Sequence, residues 1–170
     1  GDPFVTLVRS IVAQQISVRA ADSIWNRLDE TVGGISPDHV VARNEAELHG
    51  AGLTRRKASY IRDMALAFKD GSVAPALWHE KEDEEIIAEL LKLRGIGRWT
   101  AEMFLIFHLL RPNVLPLDDI GLIRACERHY AGGDALARED IESLAQPWQP
   151  WRSVATWYLW RSLDPTAVAY

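Results

Sequence analysis

The fold is decided by the stretch Leu90-Leu91-Lys92-Leu93-Arg94-Gly95-Ile96-Gly97-Arg98-Trp99-Thr100-Ala101. In it, an apolar helix end meets a Gly-x-Gly turn, and a second helix begins at once. The two glycines allow positive φ and remove side chains where another backbone must come close. Backbone amides at the start of the second helix point outward, and such a helix N-terminus is suited to binding a phosphate. Taken alone, the pattern fits a plain helix–helix turn equally well.

Downstream, two adjacent carboxylates open a further helix in the segment Leu115-Pro116-Leu117-Asp118-Asp119-Ile120-Gly121-Leu122. The helix dipole favours an acidic side chain at this end, and one carboxylate can cap the helix by accepting backbone N–H groups. One of the two would then start the helix, which leaves the other free to face a cleft. For an isolated Asp-Asp pair, a capping role for both residues is the more common outcome.

The rest of the chain also has helical periodicity. No segment shows the sustained alternation of apolar and polar residues that indicates strands. The sequence therefore predicts an all-α fold. Helices are predicted to begin at or next to Asp2, Ser17, Ser36, Glu45, Thr54, Glu82, Arg98, Asp118, Arg138 and Pro150.

The composition is that of a globular protein, with 170 residues, 48% hydrophobic and 25% charged. This length suffices for one domain or for two small helical lobes. A net charge of −5 is unusual for a phosphate-binding protein. However, the stretch from His79 to Leu90 holds six acidic residues and one lysine, which leaves the remainder about neutral. We interpret this acidic stretch as a solvated helix face.

Several chemistries are excluded by the residues that are present. Cys126 is the only cysteine, so the chain cannot form an intramolecular disulfide or hold a cysteine-ligated cluster. We expect this thiol in the core. The five histidines lack metal-ligand spacing, and no apolar run is long enough for a membrane span. A reducing, intracellular location without membrane contact is expected, either bacterial cytoplasm and nucleoid or eukaryotic nucleus.

Together, the two segments resemble the helix–hairpin–helix–Gly/Pro–Asp superfamily of DNA glycosylases, and most closely its 3-methyladenine DNA glycosylase II branch. The resemblance extends in order along most of the chain. It implies a two-lobed helical fold with the active site in the cleft between the lobes. Residues 1–170 would form one glycosylase domain, with the hairpin helices at about 84–110 and the catalytic loop at 111–120. Three further segments also match the family: Ile11–Ser17, Gly52–Ala58 and Trp148–Ser153.

The resemblance implies a base excision repair enzyme that hydrolyses the N-glycosidic bond of alkylated purines such as 3-methyladenine and 7-methylguanine. The family's catalytic aspartate corresponds to Asp119, the second of the pair, which would stabilise the positive charge that develops on the sugar. Asp118 is then expected to start the helix. The target nucleotide must be flipped out of the duplex to be reached. The family's pocket aromatics correspond to Trp99 and Trp160, and Met103 lies one turn after Trp99 on the same face.

Two departures from family patterns carry expectations of their own. Relatives that also nick the backbone place a lysine where this chain has Trp99, so no Schiff base can form and a glycosylase without lyase activity is expected. Full-length bacterial members carry an N-terminal β-domain that has no counterpart here, so either the compact form of the family or a shortened chain is expected. Gln15 occupies the position of the residue that fills the gap left by the flipped base.

DNA contacts are expected from Gln15 and from the hairpin residues Gly95, Gly97, Arg98 and Thr100. The carbonyls of Leu91, Leu93 and Ile96 match those that hold a monovalent cation in the family, so a structural Na⁺ or K⁺ is expected but no required cofactor. The partner would be double-stranded DNA containing damaged bases, bound by a monomer. The other tryptophans are expected in the core or in interfaces: Trp25, Trp78, Trp148, Trp151 and Trp157.

Three alternatives remain open at this point. The hairpin also occurs in DNA-binding modules without catalysis, for which nothing would depend on Asp119. A glycosylase for another lesion, such as a mismatched pyrimidine or an oxidised purine, would share the same motifs. A helical protein–protein scaffold would have no role in DNA and would show no salt-dependent DNA binding.

Overall fold

The computed structural model describes residues 1–164, and within that range every regular element is helical. This confirms the predicted all-α fold. Two short 3₁₀ segments, Pro75–Glu80 and Gln146–Trp148, were not indicated by the periodicity. The α-helices are α1 (Pro3–Ala13), α2 (Val18–Val32), α3 (Pro37–Val41), α4 (Glu45–Gly50), α5 (Arg55–Asp70), α6 (Asp83–Leu90), α7 (Arg98–Phe107), α8 (Ile120–Tyr130), α9 (Arg138–Ala145) and α10 (Arg152–Leu163).

Helix ends follow the capping residues read from the sequence. The side chains of Asp2, Ser17 and Thr54 each accept a backbone N–H from three residues further on, at 3.0, 3.3 and 3.1 Å. Such bonds satisfy N–H groups that have no partner within the helix. Gly33 and Gly71 end α2 and α5 in the left-handed region, with φ of 77° and 80°. Local sequence thus sets where these helices start and stop.

The chain divides into two compact units, Gly1–Phe104 and Leu105–Tyr170. Each unit has its own buried side chains. No helix within residues 1–164 combines the length and hydropathy needed to cross a bilayer. The largest fully buried side chains of the first unit are Phe4, Leu7, Ile11, Leu28, Leu48, Leu53, Ile61, Met64, Ile86 and Leu90.

A smaller apolar cluster holds the second unit together. Leu122, Cys126 and Ile141 are its buried members, and partly buried leucines from the loop before α8 pack against them. Cys126 is fully buried, which confirms its predicted place in the core. Burial raises the pKa of the Cys126 thiol, with the nearby Glu127 carboxylate adding to the effect. A protonated, inaccessible thiol is a poor nucleophile.

One member of the acidic stretch is not on a solvated face. Glu89 is only 7% exposed, although its acidic neighbours on α6 are largely exposed. Its carboxylate accepts the Ala74 backbone N–H at 2.8 Å and the Trp78 indole N–H at 2.9 Å, and it pairs with the Lys81 ammonium group. The interpretation of the whole stretch as a solvated face is therefore wrong for Glu89. Its carboxylate ties the 3₁₀ segment to α6.

The pKa of Glu89 follows from these contacts. Burial by itself would raise the pKa, but the hydrogen bonds from Lys81, Ala74 and Trp78 outweigh it and hold the pKa below its ordinary value. A carboxyl group with a lowered folded-state pKa stabilises the fold at pH values above its unfolded pKa. That contribution disappears as the pH falls through the lower, folded-state value.

We predict that Glu89→Gln lowers the free energy of unfolding at pH 7 by about 2–4 kcal/mol, because Lys81 then faces a neutral amide in a buried setting. Urea denaturation followed by circular dichroism measures the change. The deficit relative to wild type should shrink as the pH approaches 3. Glu30→Gln, on the exposed surface of α2, is the matched control and should change stability by less than about 0.5 kcal/mol. A Glu89→Gln protein as stable as this control would contradict the assignment.

Candidate functional site

The Gly-x-Gly turn connects α6 to α7 within the first unit. The Ile96 N–H donates to the Leu93 carbonyl at 3.1 Å, and the Ala101 N–H donates to the Gly97 carbonyl at 3.0 Å. The turn is thus a short hydrogen-bonded connection that leads directly into the first turn of α7. The first N–H groups of any α-helix lack intrahelical acceptors. This end of α7 therefore has the polarity that favours an anion.

The two glycines of this turn serve different purposes. Gly95 has φ of 90°, and a β-carbon there would lie 2.4 Å from Cδ2 of Tyr60. At Gly97, φ is not in the left-handed region, and a β-carbon would meet no protein atom within 4 Å. The positive φ that the sequence indicated for both glycines is therefore confirmed at Gly95, whereas Gly97 does not adopt it. Around Gly97 the protein leaves open space.

The turn between α1 and α2 is tied to the same hairpin. The Gln14 side-chain amide donates to the Gly95 carbonyl at 2.8 Å. The Lys57 ammonium group donates to the Val12 and Gln14 carbonyls at 2.8 and 2.7 Å, and burial lowers the pKa of Lys57. Gln15 follows, exposed and with φ of 61°. The chain is thus anchored at Val12 and Gln14, just before Gln15, which has a backbone conformation that few non-glycine residues adopt.

Sequence reasoning missed Gln14 and Lys57. Both lie inside segments that matched the family, but neither contact can be inferred without the fold, because Gly95 is 81 positions from Gln14. A lysine in the first turn of α5 reads as a solvated charge. Only the structure shows that its ammonium group satisfies the carbonyls at the end of α1.

The first turn of α7 carries the other predicted residues of the hairpin. Trp99 is 48% exposed, while Thr100 and Met103 are half-buried. Met103 lies four residues after Trp99, so the two share one helix face. Arg98 donates to Glu102 at 3.0 Å and to Glu84 at 2.5 Å, and the Glu84 hydrogen bond is the main reason that the Arg98 pKa is raised. Its charge is therefore already balanced by two carboxylates of the protein.

Asp119 lies in the second unit, at the start of α8. Its Oδ1 atom accepts the Leu122 backbone N–H at 2.7 Å, which makes Asp119 the N-cap. The expectation that Asp118 starts the helix is wrong, because α8 begins one residue later than expected. Asp118 is exposed and pairs instead with Arg138 at 2.7 Å. The capping carboxylate and the buried carboxylate are therefore one and the same, and Asp119 is only 9% exposed.

A second donor reaches the same oxygen from α10. The Trp160 indole N–H donates to Oδ1 of Asp119 at 2.7 Å. The Trp160 ring stacks on Phe107, with centroids 5.8 Å apart and planes inclined by 18°. The structure thus brings together Asp119 and Trp160, two predicted site residues that are 41 positions apart. It also adds a contact that the sequence did not indicate.

The loop leading to Asp119 is anchored on α10. The Ser153 hydroxyl donates to the Arg111 carbonyl at 2.6 Å and accepts the Val114 N–H at 2.9 Å. The Arg152 guanidinium donates to the Asn113 carbonyl at 3.0 Å. Both contacts come from the first turn of α10, in the late segment that the family resemblance covers. They fix the loop from which Asp119 emerges.

A family model described as HhH-GPD superfamily base excision DNA repair protein matches residues 8–150. The chain belongs to this superfamily. The match includes the hairpin and the Asp119 loop. Trp160 lies beyond it.

Individual relatives agree with this assignment. The Bacillus subtilis protein named "Putative DNA-3-methyladenine glycosylase YfjP" is 31% identical over 166 residues; these cover 93% of this chain and 58% of YfjP. The chain thus spans little more than half the length of that relative. A crystal structure of a DNA-3-methyladenine glycosidase from Bacillus halodurans superposes with a TM-score of 0.92 at 34% identity, covering 97% of this chain and 77% of the other.

A third relative was solved with a nucleic acid. The 3-methyladenine DNA glycosylase of Schizosaccharomyces pombe in complex with abasic DNA has a TM-score of 0.77 at 27% identity, covering 98% of this chain and 84% of the other. These solved structures support the predicted HhH-GPD fold.

The remaining tryptophans differ in burial. Trp78 is 2% exposed and packs edge-on against Phe104, with centroids 5.5 Å apart. Trp151 and Trp157 are exposed, at 60% and 36%. Trp78 is therefore a core residue as expected, whereas Trp151 and Trp157 lie on the surface. Among residues 1–164, no group of three His, Cys, Asp or Glu side chains could hold a metal ion.

We predict that Gly95→Ala lowers the free energy of unfolding by about 2 kcal/mol, because a β-carbon is strained at positive φ and meets the Tyr60 ring. Thermal unfolding should show a midpoint lower by about 5 °C. Gly97→Ala, two residues away in open space, is the matched control and should unfold near the wild-type temperature. Equal losses in both variants would show that Gly95 has no special constraint.

Proposed function

We propose that this protein is a DNA glycosylase that hydrolyses the N-glycosidic bond of alkylated purines in double-stranded DNA, as a step of base excision repair. The observation that carries the proposal is the Asp119 carboxylate. It is nearly buried, it caps α8, and it accepts the Trp160 indole N–H. It also lies in the loop that the superfamily match covers. The names of the B. subtilis, B. halodurans and S. pombe relatives refer to 3-methyladenine, which supports alkylated purines as the substrate class.

The chemistry requires an anion next to the sugar. Breaking the bond between a purine and deoxyribose leaves positive charge on the sugar ring, and a fixed carboxylate stabilises that charge without reorganising. Asp119 supplies this anion and orients the attacking water. Methylated purines such as 3-methyladenine carry positive charge before the reaction, so they leave readily. Acid catalysis at the base then has little to add.

The first unit supplies the groups for holding DNA. The N-terminal amides of α7 and the open space around Gly97 suit a phosphate, which explains how a chain of net charge −5 can bind DNA. Gln15 projects from an anchored turn and fills the gap left in the duplex. Trp99 and Met103 contact the extruded base, and an aromatic face favours a cationic base by about 1–2 kcal/mol when water is excluded.

A monovalent cation at the hairpin belongs to the proposal as well. The carbonyls of Leu91, Leu93 and Ile96 are neutral oxygen donors, which suit Na⁺ or K⁺. The Leu93 carbonyl accepts one hydrogen bond from Ile96, and a carbonyl oxygen has a second lone pair for an ion. A bound cation would add positive charge close to the phosphate. The protein acts as a monomer and needs no other cofactor, in whichever compartment holds the cell's DNA.

The central experiment is base release by Asp119→Asn from a duplex containing 3-methyladenine or 7-methylguanine. Asparagine keeps the capping oxygen for Leu122 and Trp160 but removes the charge, so the fold should persist. The single-turnover rate is expected to fall by about 10²- to 10³-fold. Asp118→Asn is the matched control, since its carboxylate is exposed and paired with Arg138, and it should release base at the wild-type rate.

The alternatives predict other outcomes. If neither wild type nor Asp119→Asn releases any base while both bind DNA, the protein is a binding module. Release from hypoxanthine or 8-oxoguanine duplexes in preference to methylated ones would assign another lesion class. DNA binding that is absent or insensitive to salt would favour a protein scaffold, since phosphate contacts weaken steeply as salt rises.

The enzyme is proposed to stop at base removal. Cleavage of the DNA backbone by related enzymes uses a lysine amine that forms a Schiff base with the sugar, and this chain has Trp99 at that position. We expect that borohydride treatment in the presence of abasic-site DNA traps no covalent complex above the level of a Trp99→Ala control. A trapped complex visible on a denaturing gel would refute this part of the proposal.

A further inference from the structure

We propose that Trp160 and Gly121 are positioning residues for Asp119: the Trp160 indole N–H fixes the carboxylate, and Gly121 provides the space that this hydrogen bond needs. The inference rests on the proposed catalytic role of Asp119. It assigns Trp160 a task in addition to its expected contact with the base. It also gives a function to Gly121, which no sequence pattern had singled out.

The geometry around Oδ1 of Asp119 carries the first part. A carboxylate held by the Leu122 N–H alone could still rotate about its side-chain bonds. The second hydrogen bond, from the Trp160 indole at 2.7 Å, comes from a different helix and fixes the plane of the group. Hydrogen bonds to a charged acceptor are among the stronger ones in proteins. The orientation of the carboxylate therefore depends on where the indole ring lies.

The indole ring is itself held in place. Phe107, at the end of α7, stacks on it in a nearly parallel arrangement. Phe107 thus occupies ring surface that would otherwise be available to a base. Rings stacked in this way resist tilting, so the N–H edge keeps its direction toward α8. The hydrogen bond to Asp119 is therefore donated by a side chain that is packed in place within the second unit.

Gly121 carries the second part. It is the second residue of α8, where alanine would normally stabilise the helix relative to glycine. A β-carbon at this position would lie 2.9 Å from Cδ1 and 3.1 Å from Nε1 of Trp160, and 3.0 Å from Oδ1 of Asp119. It would therefore touch both partners of the hydrogen bond at once. Gly121 does not have a positive φ, so the requirement for glycine is one of space alone.

The test is a double-mutant cycle of Trp160→Phe and Gly121→Ala, read as single-turnover excision of 7-methylguanine. Phenylalanine retains an aromatic ring but cannot donate the hydrogen bond. Each single variant should be slower by about ten- to hundredfold, the cost of one hydrogen bond to a charged group. The double variant should be about as slow as the slower single variant, because both changes disrupt the same bond. Independent effects would instead multiply.

A separate readout distinguishes positioning from a general structural defect. Affinity for a duplex with an abasic site should stay within about twofold of wild type in both variants, because the loss is in the chemical step. Trp157→Phe, one turn earlier on α10, is the matched control and should excise at the wild-type rate. If Trp160→Phe proves too unstable to assay, Gly121→Ala decides alone, since it improves helix propensity.

The inference is overturned by wild-type excision in either well-folded variant, or by losses that multiply in the double variant. Failure of the proposed function looks different. In that case Asp119→Asn excises as fast as wild type, whatever Trp160 and Gly121 do. If Asp119→Asn is slow and the cycle is additive, only the positioning role is wrong.

Discussion

A nearly buried carboxylate must receive hydrogen bonds, and much of the second unit is arranged to supply them to Asp119. An ionised group removed from water loses its hydration, and only directed donors replace it. The Leu122 N–H and the Trp160 indole both serve the Oδ1 atom. The contacts of Ser153 with the Arg111 and Val114 backbone fix the loop that leads to Asp119. Helix α10 thus supports this loop at one end and donates to the carboxylate at the other.

The first unit is under a different constraint: its hairpin turn has to expose the backbone amides at the start of α7 rather than hold a side chain in place. Its hairpin turn needs a left-handed residue packed against Tyr60, and only glycine satisfies both conditions at position 95. The Gly95 carbonyl then receives the Gln14 amide, so the α1–α2 turn and the hairpin turn form one connected surface. Arg98 contributes less than its charge suggests, because Glu84 and Glu102 already balance it. Recognition of DNA by this unit is therefore proposed to depend on helix amides and shape more than on net charge.

The sequence predicted the parts of this account that depend on local signals. Caps at Asp2, Ser17 and Thr54, the helical periodicity and the glycine turn all depend on residues close together in the chain. What it could not predict depends on pairs far apart: Gln14 with Gly95, and Asp119 with Trp160. The assignment of the helix cap to Asp119 rather than Asp118 has a similar cause. Either carboxylate can cap a helix, and only the packing of α8 decides which one does.

The central claim is that Asp119 provides negative charge at the sugar. The most direct test compares two abasic-site duplexes, one with a protonated pyrrolidine in place of the sugar and one with a neutral tetrahydrofuran. The measured quantity is the ratio of their Kd values. The account predicts that the wild-type protein binds the cationic duplex more tightly by at least about tenfold, since it mimics the charge of the transition state. Equal affinity for the two duplexes would contradict it.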